Sequence, residues 1–290
     1  MIECLTNLFQ NVVTPFEAPE KESYGDIDIL VSSPQMGIVL SSETLKAQLG
    51  ACRAITTVNS PTTSLAVPHS EGRHEFVQVD VHLCSPETFR WQVFHQSHGD
   101  FWNLLGTSVR PFGLTANPEG LHVRIEEIEC HDKKKSLLFL TREPYEIVEF
   151  LGLSRECCDK PFHSVEEMYL AVVSGRFFNP ERYARESLKS NDRKRMRQRQ
   201  IYQNFVDDWI PRQAFQSQQA LPSRREVVAE ALYTFGKLEA YQIRMQEWER
   251  DRRMTLEAQE ARTERRNAYA EMDEYVRAWT CWLTDSGGKS

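Results

Sequence analysis

Residues 24–31 read Tyr-Gly-Asp-Ile-Asp-Ile-Leu-Val and predict a strand with two carboxylates on one face. Asp26 and Asp28 are separated by one apolar residue, and residues i and i+2 of a strand share a face. A second stretch, residues 76–83, reads Phe-Val-Gln-Val-Asp-Val-His-Leu. Its strict alternation of apolar and polar residues is typical of a half-buried strand, here carrying Asp80.

The three aspartates converge if these two strands are neighbours and face the same side. Carboxylates held together repel one another, and a hard divalent cation such as Mg²⁺ relieves that repulsion. The alternative interpretation is that they are ordinary aspartates on a solvent-facing strand surface. A second aspartate-bearing strand, and the residues that follow Asp80, favour the metal site.

Composition bounds the possible function classes. The chain has 290 residues, of which 27% are charged and 40% hydrophobic, as expected for a globular protein of one large or two ordinary domains. Its net charge of -7 excludes a polycation built for nucleic acid. Residues 1–150 contain 11 Lys and Arg against 20 Asp and Glu, whereas the remainder is slightly basic. The acidic half is therefore the one that carries the carboxylate strands.

The seven cysteines show no Cys-x-x-Cys spacing, which indicates reduced thiols and no disulfide framework. The histidines have no metal-ligand spacing, so no zinc site is expected. No apolar run reaches membrane-spanning length, and the N-terminus does not resemble a secretory signal. The expectation is a soluble, intracellular protein with no membrane partner, and nucleus and cytoplasm both stay open.

The remaining periodicity predicts an α+β half followed by an all-helical half. A helix should begin after Ser41, because Ser42-Glu43 follows it and apolar residues recur at helical spacing. Short strands are predicted at 54–57, 63–67, 121–125 and 137–140, with a hairpin turn at 70–73. Helices are predicted at 193–209 and at 236–283, the latter as one long helix or a pair. Its apolar stripes, which include Tyr269, Met272, Val276 and Trp279, predict packing faces.

Downstream of Asp80 the residues resemble a known family. A break at Ser97-His98-Gly99 is followed by Asp100-Phe101-Trp102-Asn103, then by Gly-Leu-Thr-Ala-Asn-Pro-Glu-Gly-Leu at 113–121 and Leu-Gly-Leu at 151–153. Together with residues 25–31 and 79–81, this resembles the palm of nucleotidyltransferases related to DNA polymerase β, the family X DNA polymerases. The resemblance covers roughly residues 22–155.

The resemblance implies a fold and a reaction. The fold would be an α+β nucleotidyltransferase palm with a mixed sheet backed by helices, followed by an α-helical C-terminal region. The corresponding domains are 1–155, expected to be incomplete at its N-terminus, and 156–290. The reaction would transfer a nucleoside monophosphate from an NTP or dNTP to a nucleic-acid 3′-hydroxyl, with two Mg²⁺ or Mn²⁺ ions.

The resemblance also assigns residue roles. Asp26 and Asp28 would bridge both ions, and Asp80 would bind the ion that activates the acceptor hydroxyl. Gly25 would belong to the nucleotide site, with Asp100 against the incoming base and Asn103 at its minor-groove edge. Phe101 and Trp102 are expected to be packing residues.

Three departures from the family bear on nucleotide binding. A Gly-Ser pair normally precedes the first aspartate and opens a helix whose amides hold the triphosphate. Here that place is Pro15-Phe16, followed by Glu17-Ala18-Pro19, which is a poor phosphate site. His95-Gln96 replace aromatic residues that screen the sugar, so the sugar preference stays open. The short stretch before Asp26 leaves no place for the DNA-holding elements of full-length polymerases. The sequence therefore predicts a metal site with an incomplete nucleotide site.

A basic stretch in the second half is the best nucleic-acid candidate outside the palm. Basic helical residues contact phosphates without reading sequence. The residues are Arg193, Lys194, Arg195, Arg197 and Arg199. The alternative is a solvated helical face, with Asp207-Asp208 diluting the charge.

Two functional hypotheses follow. In the first, the chain is a nucleotidyltransferase whose partners are a nucleoside triphosphate and a nucleic acid, with DNA favoured over RNA. In the second, it is a catalytically inactive relative that acts as a binding or scaffold module, with a protein partner on its C-terminal helices. The three aspartates favour the first hypothesis, and the missing Gly-Ser favours the second.

Overall fold

The structure, a computed structural model, describes residues 1–22, 25–69, 75–188, 190–215 and 221–286. Two units are distinguished, Met1–Phe235 and Gly236–Ser290. The predicted domain boundary at residue 155 falls within the first unit and stays a prediction. The hairpin turn predicted at 70–73 lies outside the described residues.

A five-stranded mixed sheet forms the base of the first unit. Its strands are β1 (Phe9–Val13), β2 (Asp26–Pro34), β3 (Arg53–Thr56), β4 (Thr62–Pro68) and β5 (Phe76–Leu83), in the order β1-β2-β5-β4-β3. β2 and β5 are parallel, whereas the other neighbours are antiparallel. The two carboxylate strands are thus adjacent, as predicted.

The first unit also contains helices, some of them between the strands of the sheet. They are α1 (Ile2–Leu5), α2 (Ser42–Leu49), α3 (Phe89–Gln96), α4 (Phe101–Val109), α5 (Glu126–Glu129), α6 (Pro144–Phe150), α7 (Glu156–Asp159), α8 (Val165–Ser174), α9 (Ser190–Gln198), α10 (Gln200–Asn204), α11 (Ile210–Arg212) and α12 (Arg224–Thr234). Short 3₁₀ turns at Arg110–Phe112 and Pro180–Tyr183 and a π-helical turn at Phe205–Trp209 connect some of them.

One face of the main sheet carries the hydrophobic core. Ile29 and Val31 of β2 and Val81 of β5 are buried against Leu45 and Leu49 of α2. α2 begins at Ser41, whose hydroxyl accepts a hydrogen bond from the N–H of Thr44 at 3.1 Å. Because strand side chains alternate, the aspartates of β2 and β5 lie on the opposite face.

A second, antiparallel sheet of β6 (Leu114–Asn117), β7 (Gly120–Arg124) and β8 (Leu137–Thr141) follows α4. Gly120 begins β7 at φ 140°, and a Cβ there would lie 2.4 Å from the carbonyl oxygen of Thr141. Only glycine fits this approach. The strands predicted at 121–125 and 137–140 are confirmed. With the main sheet, they confirm the α+β class with a mixed sheet backed by helices and a helical C-terminal region.

The prediction of one continuous helix at 193–209 is wrong, because the helix is interrupted at Arg199. Arg199 has extended backbone angles, φ -132° and ψ 107°, and separates α9 from α10. At this break Arg199 donates to Asp100 at 2.6 Å, and just after it the Tyr202 hydroxyl lies 2.7 Å from the Thr107 hydroxyl. These tertiary contacts favour the interruption over local helix propensity.

The second unit is built on one helix, α13 (Leu238–Ser286). At its far end, where a packing face is predicted, Tyr269, Met272, Val276 and Trp279 are each at least 56% exposed, and that face stays a prediction. None of the helices in the described part of the chain is both long and apolar enough to cross a membrane.

Candidate metal and nucleotide site

The three predicted aspartates meet on one face of the main sheet. The parallel register of β2 and β5 places Asp28 directly opposite Asp80, and Asp26 opposite Gln78. Asp26, Asp28 and Asp80 each offer a carboxylate oxygen, and these oxygens all lie within 4.8 Å of one another. The predicted convergence is therefore present, and the cluster could hold a metal ion.

The negative charges of the three carboxylates repel one another. The pKa of Asp28 is raised, first by partial burial of its carboxyl group and then by the charges of Asp26 and Asp80. Glu17 adds to this rise, whereas Lys21 opposes it. Asp28 still has solvent exposure, which screens these interactions. A bound cation would reverse the balance by attracting all of the carboxylates.

The donor set suits a hard divalent cation. Carboxylate oxygens are the ligands preferred by Mg²⁺ and Mn²⁺. The Gln78 side-chain amide donates to both oxygens of Asp80, at 3.1 and 3.2 Å. Because Gln78 is exposed, its amide can turn towards solvent when a cation takes those oxygens. The residues present therefore fit Mg²⁺ or Mn²⁺.

Helix α3 covers the same sheet face beyond the carboxylates. Leu30, two residues after Asp28, is fully buried. His82, two residues after Asp80, has its Nε2 2.9 Å from Oε1 of Gln92 on α3 and its Nδ1 2.8 Å from the hydroxyl of Thr62. The aspartates thus occupy the uncovered end of this face, where a ligand can reach them.

A half-open pocket of about 240 Å³ adjoins Asp28. It is lined by Pro15, Phe16, Glu17, Ala18, Lys21, Asp28, Gln96, Gly99, Asp100, Arg199 and Ile201. Asp100 and Arg199, both predicted to be functional, therefore share this pocket with Asp28.

Residues 15–18, where the resemblance would place a Gly-Ser pair, form one wall of the pocket. The N–H of Phe16 donates to Oγ of Ser97 at 3.0 Å, and the N–H of His98 donates to the carbonyl of Phe16 at 2.7 Å. Gly99 has φ +59°, and a Cβ there would lie 2.7 Å from Cβ of Ala18. The segment is thus fixed to the break between α3 and α4, and the Phe16 amide is already engaged.

Two cations face this pocket, and each is paired with an acid. Nζ of Lys21 lies 2.7 Å from Glu17, and Arg199 donates to Oδ1 of Asp100 at 2.6 Å. Asp100 is buried, and its Oδ1 also accepts from the Asn103 amide at 3.1 Å. The predicted nucleotide residues Asp100 and Asn103 thus touch each other. The third, Gly25, is exposed and immediately precedes β2.

The aromatic residues around α3 and α4 have packing roles. Phe101 and Trp102 are buried, as predicted. His95 packs 5.2 Å from the ring of Trp91 and 5.5 Å from that of Trp102, and burial lowers its pKa to about 4. His95 is therefore neutral at pH 7. Of the pair that replaces the sugar-screening aromatics, Gln96 lines the pocket.

The predicted basic stretch follows the surface of α9. Asp192 and Met196 are buried on its inner face, whereas Arg193, Lys194 and Arg197 are exposed. The side chain of Arg195 lies outside the described part of the structure. Arg199, just past the helix, enters the pocket beside Asp28. The basic stretch and the carboxylate cluster, remote in sequence, are therefore close in space.

Sequence reasoning missed several side chains of this site. Gln78 could have been found, because it lies two residues before Asp80 and so shares its face. Lys21 and Glu17 lie in an irregular segment where periodicity carries no information. The Arg199–Asp100 contact joins residues that no local pattern relates.

Comparisons with known proteins add little. No protein-family model matches the chain, and no curated protein matches its sequence. Among solved structures, the chain is similar to Leishmania infantum polymerase beta in a ternary P/T complex. The TM-score is 0.38 and the identity 12%, over 56% of this chain and 72% of that chain. At these values the similarity carries no information about activity.

Proposed function

We propose that this chain is a nucleotidyltransferase that joins a nucleoside monophosphate, taken from a nucleoside triphosphate, to a nucleic-acid 3′-hydroxyl. One observation carries the proposal. Asp26, Asp28 and Asp80 stand on adjacent parallel strands with carboxylate oxygens within 4.8 Å of one another. Three carboxylates in such a cluster destabilise the metal-free protein, so a cation-binding role explains their presence better than a structural one.

In this proposal Asp26, Asp28 and Asp80 hold two Mg²⁺ or Mn²⁺ ions. When bound, such ions lower the pKa of the attacking hydroxyl and stabilise the charge on the leaving pyrophosphate. The strands supply rigid positions for the carboxylates, because α2 packs on one face of the sheet and α3 on the other. Ligands on rigid elements require little rearrangement when the cation arrives.

The pocket beside Asp28 is the proposed nucleotide site. Lys21 and Arg199 are its two cations, and both carry carboxylate partners that phosphate oxygens can replace. Asp100 and Asn103 would then be released to contact the incoming base, with Gly25 next to the metal site. The exposed basic residues of α9 lead to this pocket and would hold the backbone of the acceptor strand.

A second candidate function is that of an inactive binding or scaffold module. The specific observation favouring it is that the N–H of Phe16 and both pocket cations are engaged within the protein. Such a pocket would bind a triphosphate weakly. The exposed apolar residues of α13 would then provide the surface for a protein partner.

Primer extension distinguishes the two functions. The purified chain is incubated with labelled NTPs or dNTPs, Mg²⁺ or Mn²⁺, and DNA or RNA primers. Asp26→Asn and Asp80→Asn serve as inactive variants, and Glu186→Gln, an exposed carboxylate outside the cluster, as the matched control. The proposal expects incorporation by wild type and Glu186→Gln only. Equal signals from wild type and both aspartate variants, with every primer, would exclude the enzyme and leave the binding module.

A further inference from the structure

A second cavity lies at the N-terminal end of α9. Its volume is about 510 Å³, and its lining includes Thr107, Arg110, Asn179, Arg182, Ser187 and Asp192. It shares no lining residue with the pocket beside Asp28. The proposed nucleotidyl transfer does not use it.

Arg182 is the unusual member of this lining. Its guanidinium carbon lies 4.8 Å from the ring centroid of Phe112, and its Nε is buried without a hydrogen-bond partner. Among the described residues, no carboxylate forms an ion pair with it. Burial lowers the pKa of Arg182, yet arginine keeps its charge in proteins. A partly desolvated guanidinium beside a cavity, with no carboxylate partner among the described residues, is a site where an anion is stabilised.

The other charged groups do not cancel this cation. Asp192 is buried and holds Arg110 at 2.6 Å, so that pair is internally neutral. Glu181 also lines the cavity but is exposed to solvent. Nη1 of Arg193 donates to the carbonyl of Leu188 on the cavity wall at 2.7 Å, which brings a further guanidinium to the rim.

Helix α9 joins this cavity to the carboxylate site. Asp192 lines the cavity, and Arg199, seven positions later, lines the pocket beside Asp28. From Asp192 to Gln198, the last residue of α9, a rise of 1.5 Å per residue gives about 9 Å, and the extended step to Arg199 adds about 3 Å, so the two lie roughly 10–12 Å apart. The exposed side chains of Arg193, Lys194 and Arg197 lie between them.

We propose that the Arg182 cavity binds a backbone phosphate of the acceptor strand upstream of its 3′ end. A strand rises about 3.4 Å per nucleotide, so 10 Å corresponds to about three nucleotides. The inference rests on the proposed function, because the strand end must lie at the carboxylates. It adds a second anchoring point and predicts a minimum useful length for the acceptor.

The test is the length dependence of oligonucleotide binding by the full chain, measured by fluorescence anisotropy without nucleotide. Arg182→Met keeps the apolar stem over Phe112 and removes the charge. Arg185→Met is the matched control, because Arg185 is exposed and pairs with Asp207. Unfolding curves verify that both variants fold.

For wild type and Arg185→Met, the affinity for the oligonucleotide should increase as its length grows from about two to about six nucleotides. In Arg182→Met this increase in affinity should be about tenfold smaller, because one charged hydrogen bond to the strand is lost. The slope of log K against log salt should fall by about 0.7 for a six-nucleotide strand.

Three results would overturn the inference. The first is binding by Arg182→Met that matches wild type at every length, and the second is an equal loss of affinity for dinucleotides and hexanucleotides. The third is full competition by inorganic phosphate, at equal phosphate concentration, for the Arg182-dependent binding. Nucleotide incorporation by wild type in any of these cases would leave the proposed function standing. Length-dependent binding through Arg182 without incorporation would instead support the strand site and refute catalysis.

Discussion

Replacing Asp28 with asparagine should stabilise the metal-free protein, yet leave it less stable than wild type once Mn²⁺ is present. The carboxylate oxygens of Asp26, Asp28 and Asp80 lie within 4.8 Å of one another. Asp28→Asn removes the charge that repels both neighbours while keeping the shape of the side chain. It also removes one of the proposed metal ligands.

The magnitude follows from this geometry. At 4.8 Å and the dielectric constant of water, each pair of charges costs about 0.9 kcal/mol. Two pairs give about 2 kcal/mol, and screening at 0.1 M salt reduces this to about 1 kcal/mol. For a unit of this size, the melting temperature in EDTA should rise by about 2–4 °C. Mn²⁺ at 100 times its Kd stabilises wild type by about 2.7 kcal/mol, which exceeds the gain of the variant.

Protonation of Asp28 should make the stability of the fold depend on pH. The pKa of Asp28 is raised in the folded state by burial and by Asp26 and Asp80. The folded state therefore favours protonated Asp28, and stability is lost as pH rises through the folded pKa. The advantage of Asp28→Asn should appear above that pKa and vanish at low pH, where Asp28 is protonated in both states.

Differential scanning calorimetry in EDTA and in Mn²⁺ measures the reversal, with Glu186→Gln as the control that should follow wild type in both. If Asp28→Asn melts below wild type in EDTA, the carboxylates do not repel one another as described. If Mn²⁺ raises both melting temperatures equally, Asp28 is not a ligand.

Three further perturbations probe the pocket and its surroundings. Arg199→Ala should destabilise the fold by about 2 kcal/mol in urea unfolding, because it leaves the buried carboxylate of Asp100 unpaired. His95→Phe should reduce the acid sensitivity of the fold by about 2 kcal/mol between pH 7.5 and 5. In the folded protein the pKa of His95 is about 4, below its ordinary value of 6.5, so the unfolded state binds more protons and wild type loses stability as pH falls through this window. Gly99→Ala should cost about 1–3 kcal/mol, because φ is +59° and the new Cβ would lie 2.7 Å from Cβ of Ala18.

The arginine and glycine variants have matched controls. Arg197→Ala removes an exposed neighbour of Arg199 and should change stability by no more than about 0.5 kcal/mol. Equal losses in the two arginine variants would contradict the Asp100 contact. Gly37→Ala, at φ +84° with nothing within 4 Å, isolates the backbone strain from the contact with the 15–18 segment. An equal loss at both glycines would show that the close approach is unimportant. An unchanged pH profile in His95→Phe would mean that the imidazole titrates normally.

Local patterns in the sequence were enough to predict the carboxylate site. Period-two alternation places Asp26 with Asp28 on one strand face and Asp80 on another strand, and the parallel register of β2 and β5 then brings them together. The strong apolar runs around them determine which face is buried. The sharing of faces follows from these short-range rules, whereas the convergence of the carboxylates also needs the pairing of β2 with β5.

The pocket could not be predicted in the same way. Arg199 reaches Asp100 only because α9 ends at Gln198, and that interruption depends on tertiary contacts that no helical pattern encodes. The strand character of β1 does not follow from its own residues, because it depends on antiparallel pairing with β2, a separate segment that no local pattern relates to it. The stripe that includes Trp279 has an apolar pattern on an exposed helix surface, and that pattern does not say what would pack against it.

Mn²⁺ binding measured by electron paramagnetic resonance tests the central claim most directly, because free Mn²⁺ gives a signal that is lost on coordination. Wild type and Glu186→Gln should bind Mn²⁺ saturably and release it to excess Mg²⁺. Asp80→Asn, whose carboxylate stands opposite Asp28 on the neighbouring strand, should lose most of that binding. Equal Mn²⁺ binding by wild type and Asp80→Asn would contradict a metal site at these three carboxylates.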